Sequence, residues 1–338
     1  MDAQELLRRY GAGERDFTGL DLSNINLEGA ELKYADFSYA NLTGTNLNKA
    51  NLQRVNLSHS NLTRASLNKT YFLITDLTHS NLTRASLVET QLEGAELDGA
   101  NFTGANLTGA TLENSLDYVN FTEANLTSVY MQQCTLNGTV FTKTNFRGSY
   151  ISQCVADEAS VDFSEANLKE AIISEFYLCM ANFQGADLTG TYLNVAAENN
   201  INFSQANLSK ANLIHSRLDN ANLSETVMNG ALYGIETGLS SDLAKDAILI
   251  APGVNLSNIN LQGAKLSGLN LNDIDFSYAN LELSDLESSN LENANLKRAS
   301  LQGANLKYVN LTKANLEAAN LKDAIFRFTK MPDGSIRS

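Results

Sequence analysis

The chain contains few of the residues from which metal sites, disulfide frameworks and basic binding surfaces are built. It has three histidines, and its three cysteines, Cys134, Cys154 and Cys179, show no CxxC spacing. A zinc site or a disulfide framework is therefore not expected. The formal net charge of −14 argues against direct binding of a nucleic-acid backbone through a basic surface. We expect neither a metal nor a cofactor.

Long apolar runs and the common catalytic motifs are also missing. No run approaches the length of a membrane span, and residues 1–13 lack the apolar core of a signal peptide. We therefore expect a cytoplasmic protein that makes no use of a membrane. No GxxxxGKS or GxxxxGKT phosphate loop occurs, and the acids fall at outward positions where solvation keeps their chemistry ordinary. An enzyme is not expected.

A period of five residues dominates the sequence. From Leu256 to Phe326, a leucine or phenylalanine occupies every fifth position. Five helical steps of about 100° would scatter these residues around a helix, and an odd spacing would alternate them between the two faces of a flat strand. The chain must therefore turn a corner once per repeat. Ala294 and Leu296 are two residues apart and share the inward face.

The residues that follow each leucine support this reading. The second residue after the leucine or phenylalanine is often glycine, as at Gly44, Gly99 and Gly303. A type II turn places a positive φ at that point. The segment HSNLTRASL occurs at 59–67 and again at 79–87, twenty residues later. Self-similarity at a short fixed period is typical of a solenoid whose coils bury apolar side chains against their neighbours.

The repeats GANFTGANLTGATL and KANLEAANL resemble those of the pentapeptide-repeat proteins, and the likeness covers about nine tenths of the chain. The resemblance implies an all-β fold, a right-handed quadrilateral β-helix with four repeats per coil. The opening LLRRYGAGERDF looks like the lead-in of cyanobacterial members. Some members of this family mimic a DNA duplex and occupy the DNA-binding saddle of DNA gyrase.

Departures from the period suggest boundaries within the chain. We expect an N-terminal cap over 1–16, containing a short helix from Asp2 to Tyr10, and a solenoid over 17–233. Irregular loops are expected near 113–117, 152–162 and 194–202. A helical insertion or hinge is expected over 234–255, in which a short helix is capped by Ser240 or Ser241. A second solenoid block is expected over 256–326. Residues 327–338 would form a C-terminal cap, with Phe328 and Ile336 folded back across the last coil, or would make a dimer contact at the terminal coil.

Two places interrupt the pattern in ways that suggest an interaction surface. Leu73 and Ile74 stand where polar residues normally turn the corner, so they form either a partner-binding patch or isolated apolar residues covered by their neighbours. Residues 113–255 carry 16 acids and 6 bases, a net charge of −10. The acids considered for a binding surface are Asp157, Glu158, Asp162, Glu165, Glu170 and Glu175. Alternatively, they only keep the protein soluble.

The stacking of equivalent residues raises two further possibilities. His59 lies one coil below His79. Stacked histidines are able to bind a metal, but no third ligand is evident, and copying of a repeat unit is the favoured reading. Cys134 and Cys154 fall at the small inward position on adjacent coils, as a buried thiol pair or a redox-formed bond.

The sequence as a whole favours a non-enzymatic, rigid solenoid that mediates protein-protein interaction with a partner it does not identify. The alternative is an acidic DNA mimic that binds DNA gyrase or another DNA-binding protein. The neutral block 256–338, with 9 acids and 9 bases, weakens that alternative.

Overall fold

Successive five-residue repeats in the described part of the chain contribute short rungs to parallel ladders. In a computed structural model of the protein, which describes residues 1–178, 180–195, 200–240 and 242–338, Asn26, Glu31, Asp36 and Asn41 each form a parallel bridge with the residue twenty positions later. Because four successive repeats start four separate ladders, one coil contains twenty residues and has four faces. The fold is the β-solenoid that the period predicted.

Each face ends in a tight turn that gives the solenoid its corner. The Ala35 N–H donates to the Leu32 carbonyl at 3.2 Å, and Tyr34 between them has a φ of +63°. A positive φ at the third residue is the requirement of a type II turn, which explains the glycines. Non-glycine residues accept this strained conformation because the next coil holds the turn, as when the Tyr34 N–H donates to the Gln53 carbonyl.

The leucines and phenylalanines point inward and stack from coil to coil. On one face of the solenoid the stacked residues are aromatic over six consecutive coils. Neighbouring ring centroids in this series are 4.8 to 5.2 Å apart. The series consists of Phe102, Phe121, Phe141, Phe163, Phe183 and Phe203, all fully buried. We call this series the phenylalanine stack.

Small residues fill the second inward position, and the hydroxyls of several threonines there have a backbone partner. Thr45 Oγ1 donates to the Leu22 carbonyl at 2.6 Å, and Thr144 Oγ1 donates to the Phe121 carbonyl at 2.6 Å. Both threonines are fully buried. Each of these two hydroxyls donates a hydrogen bond to a carbonyl of the preceding coil. The threonines can therefore occupy the core without a large desolvation penalty.

The coil length departs from twenty residues at several places in the described part of the chain, two of which lie between Asn101 and Asp162. Asn101 pairs with Asn120, so the coil there has nineteen residues. Val140 pairs with Asp162, so the coil there has twenty-two residues. The longer coil accommodates its two extra residues in the exposed segment 157–160, close to Val155–Ala156. Both changes fall where the sequence loses its period. Of the third irregular region, 194–202, residues 196–199 lie outside the described residues.

Regular secondary structure beyond single bridges is short. Helix α1 is Ala3–Gly11 and a 3₁₀ turn is Ile235–Thr237. The strands are β1 Thr111–Leu112, β2 Tyr130–Gln132, β3 Tyr150–Ser152, β4 Val155–Ala156, β5 Ile172–Leu178, β6 Tyr192–Val195, β7 Leu232–Tyr233, β8 Ile248–Leu249, β9 Thr329–Lys330 and β10 Ile336–Arg337. Strands β1, β2, β3, β5 and β6 pair in parallel in that order, and β4 pairs with β5.

The chain divides into two compact units. The first comprises Met1–Ala211, His215–Ala231 and Thr237–Asp246. The second comprises Asn212–Ile214, Leu232–Glu236 and Ala247–Ser338. Each unit has a core of inward leucines, and Leu266, Leu286 and Leu306 belong to the core of the second unit.

The predicted helix within the insertion does not form. Residues 242–247 are turns and bends, while the predicted start Ser241 lies outside the described residues. The 3₁₀ turn Ile235–Thr237 is the helical structure described between 234 and 255. Ladder pairing explains the difference, because the Gly230 N–H donates to the Asp246 carbonyl at 2.8 Å. A segment this short has too little helix propensity to oppose such pairing.

The N-terminal helix is present as predicted. The Asp2 carboxylate caps it by accepting the Glu5 N–H at 2.8 Å. Leu6 is fully buried, and the Tyr10 hydroxyl donates to the Lys33 carbonyl at 3.1 Å. Leu7 is exposed. The helix therefore covers the first coil through Leu6 and Tyr10.

The C-terminal tail folds back differently from the expectation. Strand β10 runs antiparallel to β9, and the Arg337 guanidinium lies 3.7 Å from the centroid of the Phe326 ring. Phe328 and Ile336, expected to cross the last coil, are both exposed. Phe328 occupies a corner position, where side chains point outward, and its ring stacks on Tyr308. Arg337 provides the cover instead.

Candidate functional site: the tyrosine face

Four large side chains lie one above the next on the outer surface of the first unit. Tyr130, Tyr150, Ile172 and Tyr192 occupy matching positions of β2, β3, β5 and β6. The rings of Tyr130 and Tyr150 stack with centroids 5.1 Å apart. Tyr130 is 39%, Tyr150 36% and Ile172 38% exposed. We call these four residues the tyrosine face.

The sequence itself explains why strands form here. In most repeats the residue before the inward leucine is Asn or Asp, and its side chain caps the corner, as when the Thr103 N–H donates to Asn101 Oδ1 at 3.0 Å. Tyrosine and isoleucine offer no such acceptor, and both favour extended structure. The single bridge therefore lengthens into strands such as Tyr130–Gln132 and Tyr150–Ser152.

Polar and acidic side chains border the tyrosine face. Gln132 Nε2 donates to Gln153 Oε1 at 3.1 Å, and Gln153 Nε2 donates to Glu175 Oε2 at 2.9 Å. Glu170 and Glu175 occupy the corners immediately before and after the strand position of Ile172. The face thus combines an apolar centre with a polar and acidic border.

Tyr192, the last residue of the tyrosine face, is half-buried. Burial raises the pKa of Tyr192 above its ordinary value of 10.0, so its hydroxyl stays protonated at neutral pH. The Tyr130 hydroxyl donates to Gln132 Oε1. These groups offer hydrogen bonds and apolar area, which are the properties that make tyrosine common at interfaces.

The acids selected from sequence do not form one surface. Glu165, Glu170 and Glu175 are corner residues five positions apart, so they point from three successive corners of the same coil. Glu165 pairs with Lys143 at 3.7 Å and Glu170 pairs with Arg147 at 3.2 Å. Of the six predicted acids, Glu170 and Glu175 are the two that border the tyrosine face.

Asp157, Glu158 and Asp162, the remaining acids selected from sequence, lie away from the tyrosine face. Asp157 and Glu158 are exposed in the segment that accommodates the two extra residues, and their N–H groups donate to Asn137 Oδ1 at 3.1 and 3.0 Å. Asp162 is half-buried on another face. Burial raises the pKa of Asp162, but hydrogen bonds from Ser164 and neighbouring side chains outweigh it and hold the pKa below its ordinary value.

Leu73 and Ile74 lie on the same side of the solenoid as the tyrosine face. Ile74 is 51% exposed, while Leu73 is half-buried. Tyr71 belongs to the ladder that continues through Gln91 and Thr111 to Tyr130. Two coils with polar residues at this position therefore separate the Leu73 and Ile74 region from the tyrosine face.

The histidines stack without forming a metal site. The rings of Tyr39, His59 and His79 follow one another with centroids 4.9 and 5.1 Å apart. Because the imidazole rings are stacked, their nitrogen lone pairs point outward in separate planes rather than toward a shared ion. Within the described residues, no group of three or more metal-ligating side chains comes together.

The two central cysteines are buried free thiols on adjacent coils. Cys154 Sγ donates to the Ser152 carbonyl at 3.3 Å, and Cys134 Sγ donates to the Leu112 carbonyl at 3.4 Å. Hydrogen bonding with Cys134, together with burial, raises the pKa of the Cys154 thiol. Cys179 lies outside the described residues.

A periodic solenoid with these corners and ladders matches one known family. Eight copies of the model for pentapeptide repeats align with 16–48, 50–73, 75–114, 120–155, 162–194, 199–231, 255–293 and 289–327. The chain belongs to the pentapeptide-repeat family. No curated protein sequence is significantly similar to it. The part of the chain that the structure describes contains no helix that could span a membrane.

Solved structures of other pentapeptide-repeat proteins are similar to this one. HetL, a protein involved in heterocyst differentiation regulation in the cyanobacterium Nostoc sp. strain PCC 7120, is 25% identical over 100% of both chains, with a TM-score of 0.24. QnrB1, a plasmid-mediated fluoroquinolone resistance protein, is 16% identical over 63% of this chain and 91% of its own, with a TM-score of 0.27. Rfr23 from the cyanobacterium Cyanothece 51142 is 25% identical over 36% of this chain and 92% of its own, with a TM-score of 0.19.

The tyrosine face was missed by sequence reasoning that looked for charge. The signal was nevertheless present, because Tyr130, Tyr150, Ile172 and Tyr192 recur at the coil length once the two extra residues are allowed for. Each of them replaces an Asn or Asp at an outward position. A search for large residues at that position would have found the face.

Proposed function

We propose that this pentapeptide-repeat protein is a non-enzymatic cytoplasmic scaffold that binds a protein partner on the tyrosine face. The observation that carries the proposal is the in-register row of Tyr130, Tyr150, Ile172 and Tyr192. Aromatic side chains of this kind supply large contact area at little cost in conformational entropy, and they dominate the binding energy of many interfaces.

Charge indicates the kind of partner. Residues 113–255 carry a net charge of −10, and Glu170 and Glu175 border the face. A partner with an apolar centre and a basic border would complement both features. Buried apolar contact would provide affinity, while the acidic border would speed association at low salt and reject acidic competitors.

A photo-crosslinker placed on the face tests the proposal. We would incorporate p-benzoylphenylalanine at Tyr150 and, as a matched control, at the exposed Tyr278 of the second unit. Cross-linked partners would be identified by mass spectrometry and then purified. Binding of the purified partner should fall at least tenfold for Tyr130→Glu and Tyr150→Glu, and by less than about twofold for Tyr278→Glu. Equal losses in all three variants would contradict the assignment of the face.

DNA mimicry is the competing function, and it predicts a different result. Its motivation is the acidic middle of the chain, but the acids there point from successive corners and some are ion-paired. We would measure inhibition of supercoiling by DNA gyrase over a salt series, with Glu165→Gln, Glu170→Gln and Glu175→Gln combined as control. Inhibition that weakens with salt and disappears in the control would favour mimicry over the scaffold.

The last coil offers a second contact for a copy of the same chain. Leu316, Leu321 and Phe326 are half-buried there, whereas the equivalent leucines of inner coils are fully buried. Pairing of two such ends would cover the remaining apolar surface. Sedimentation of the wild-type protein and of Leu321→Glu would show whether a dimer exists and depends on this coil.

A further inference from the structure

A positively charged region stands out within this acidic protein. Residues 37–88 contain five lysines and arginines and a single acid, Asp76. Two copies of the segment HSNLTR, residues 59–64 and 79–84, lie on adjacent coils of this region. Each copy covers one face of the solenoid between two corners. We call this pair of segments the HSNLTR face.

Two arginines at one corner of this face have no acidic partner. Arg64 and Arg84 are corner residues one coil apart, with φ values of +58° and +57°. Neither forms an ion pair with any described residue. Elsewhere the corners place opposite charges on neighbouring coils, as in Lys69 with Glu89 at 2.9 Å. The two like charges at the HSNLTR face repel each other, and an anion between them would remove that repulsion.

The asparagines on the same face also leave hydrogen-bond donors free. Asn61 Oδ1 and Asn81 Oδ1 each accept the N–H and the hydroxyl of the threonine two residues later, at 3.1 and 2.6 Å. Their Nδ2 groups have no partner among the described residues. On later coils of the same ladder this group is used, since Asn202 Nδ2 donates to Asn182 Oδ1 at 3.0 Å. The HSNLTR face therefore presents two free amide donors, Asn61 Nδ2 and Asn81 Nδ2.

We propose that the HSNLTR face binds a phosphate-type oxyanion, held by Arg64 and Arg84 and assisted by the Asn61 and Asn81 amides. Two guanidinium groups on one tetrahedral anion form charge-assisted, bidentate hydrogen bonds. His59 and His79 border the site at the opposite corner. The ligand is a phosphate dianion, either free or as a phosphate monoester.

The spacing favours one compact anion over an extended acidic chain. Neighbouring coils are about 4.8 Å apart, whereas side chains on one side of an extended peptide repeat at about 6.8 Å. An acidic peptide would therefore lose register with the two identical segments. A single phosphate spans two coils and contacts both arginines without any repeat of its own.

Equilibrium dialysis of the full chain at low ionic strength, with labelled inorganic phosphate, tests the proposal. We expect saturable binding of one phosphate per chain. Arg64→Gln and Arg84→Gln should each weaken binding about tenfold, because a hydrogen bond to a charged group is lost. Arg64→Lys should bind with intermediate affinity, because lysine keeps the charge but loses the planar fork. A second arm with O-phosphoserine distinguishes the sources, since a monoester ligand should bind more tightly than free phosphate.

The matched control is Arg54→Gln, which removes the same charge from a corner residue in the same region. Arg54 lies over the Tyr34 ring and outside the HSNLTR face. The phosphate affinity of the Arg54→Gln variant should stay within about twofold of the wild-type affinity, because no direct contact with the anion is lost. An equal loss in Arg54→Gln would mean general charge attraction, and an absence of saturation by about 10 mM phosphate would mean no site. Either result overturns the proposal.

Discussion

Replacing Phe141 should reveal how much the phenylalanine stack contributes to stability. Phe141 is fully buried, with stacked neighbours Phe121 and Phe163 at 5.2 and 4.8 Å and an edge contact to Phe146 at 5.0 Å. Phe141→Ala should lower the free energy of unfolding by about 3 to 5 kcal/mol, because it removes the apolar contact and leaves a cavity. Phe141→Leu should lower the free energy of unfolding by about 1.5 kcal/mol. It retains most of the side-chain volume but loses three ring contacts, each worth about 0.5 kcal/mol.

The chain contains no tryptophan, so urea unfolding should be followed by far-UV circular dichroism. Coils contact mainly their neighbours, and the free energies are comparable only if the slope with urea is unchanged between variants. Tyr118→Leu is the control, because Tyr118 is exposed and its loss should cost less than about 0.5 kcal/mol. A Phe141→Ala variant that loses less than about 1 kcal/mol would refute the continuous buried stack.

The remaining predictions concern titratable groups. Because the folded pKa of Asp162 lies below the ordinary 3.8, its stabilising contribution is present above that pH and is lost as the pH falls through the lower folded value. Wild type should therefore be more stable than Asp162→Asn at pH 7. In urea unfolding at decreasing pH, the difference in the free energy of unfolding between the two proteins should shrink below about pH 3.8. A difference that does not change with pH would contradict the lowered pKa of Asp162. Cys154 should resist alkylation by iodoacetamide at pH 8 in the native protein and react in urea, as followed by peptide mass spectrometry, because its raised pKa and burial suppress the thiolate. Rapid native labelling of Cys154 would contradict this assignment.

Most of the fold was predictable because each repeat has the same local sequence pattern. The leucine of every repeat, such as Leu296, needs burial, and the residue two positions later needs a positive φ. Because these two requirements recur every five residues, they specify a β-solenoid along the repeats. The insertion was predicted less well, because the pairing of Gly230 with Asp246 competes there with a local helix signal. Phe328 was mispredicted because its corner position, not its apolar character, decides where it points.

The candidate site depended on a different kind of information. The acids Glu165, Glu170 and Glu175 looked like a cluster in sequence, but five residues separate one corner from the next. Tyr130 and Tyr150 are twenty residues apart in the chain, yet their rings stack at 5.1 Å. Neighbours on the surface of a solenoid are separated by the coil length, so proximity in sequence is a poor guide to its binding surfaces.

The sequence by itself determined the period, the inward residues, the corner glycines and the coil of twenty residues, because these follow from local geometry and the burial of apolar side chains. Tertiary structure decided which outward residues meet where the coil length departs from twenty residues. The coil of twenty-two residues between Val140 and Asp162 keeps Tyr150 in register with Ile172, and that register creates the tyrosine face. The physical reason is that side chains on adjacent coils are about 4.8 Å apart whatever their separation in the chain.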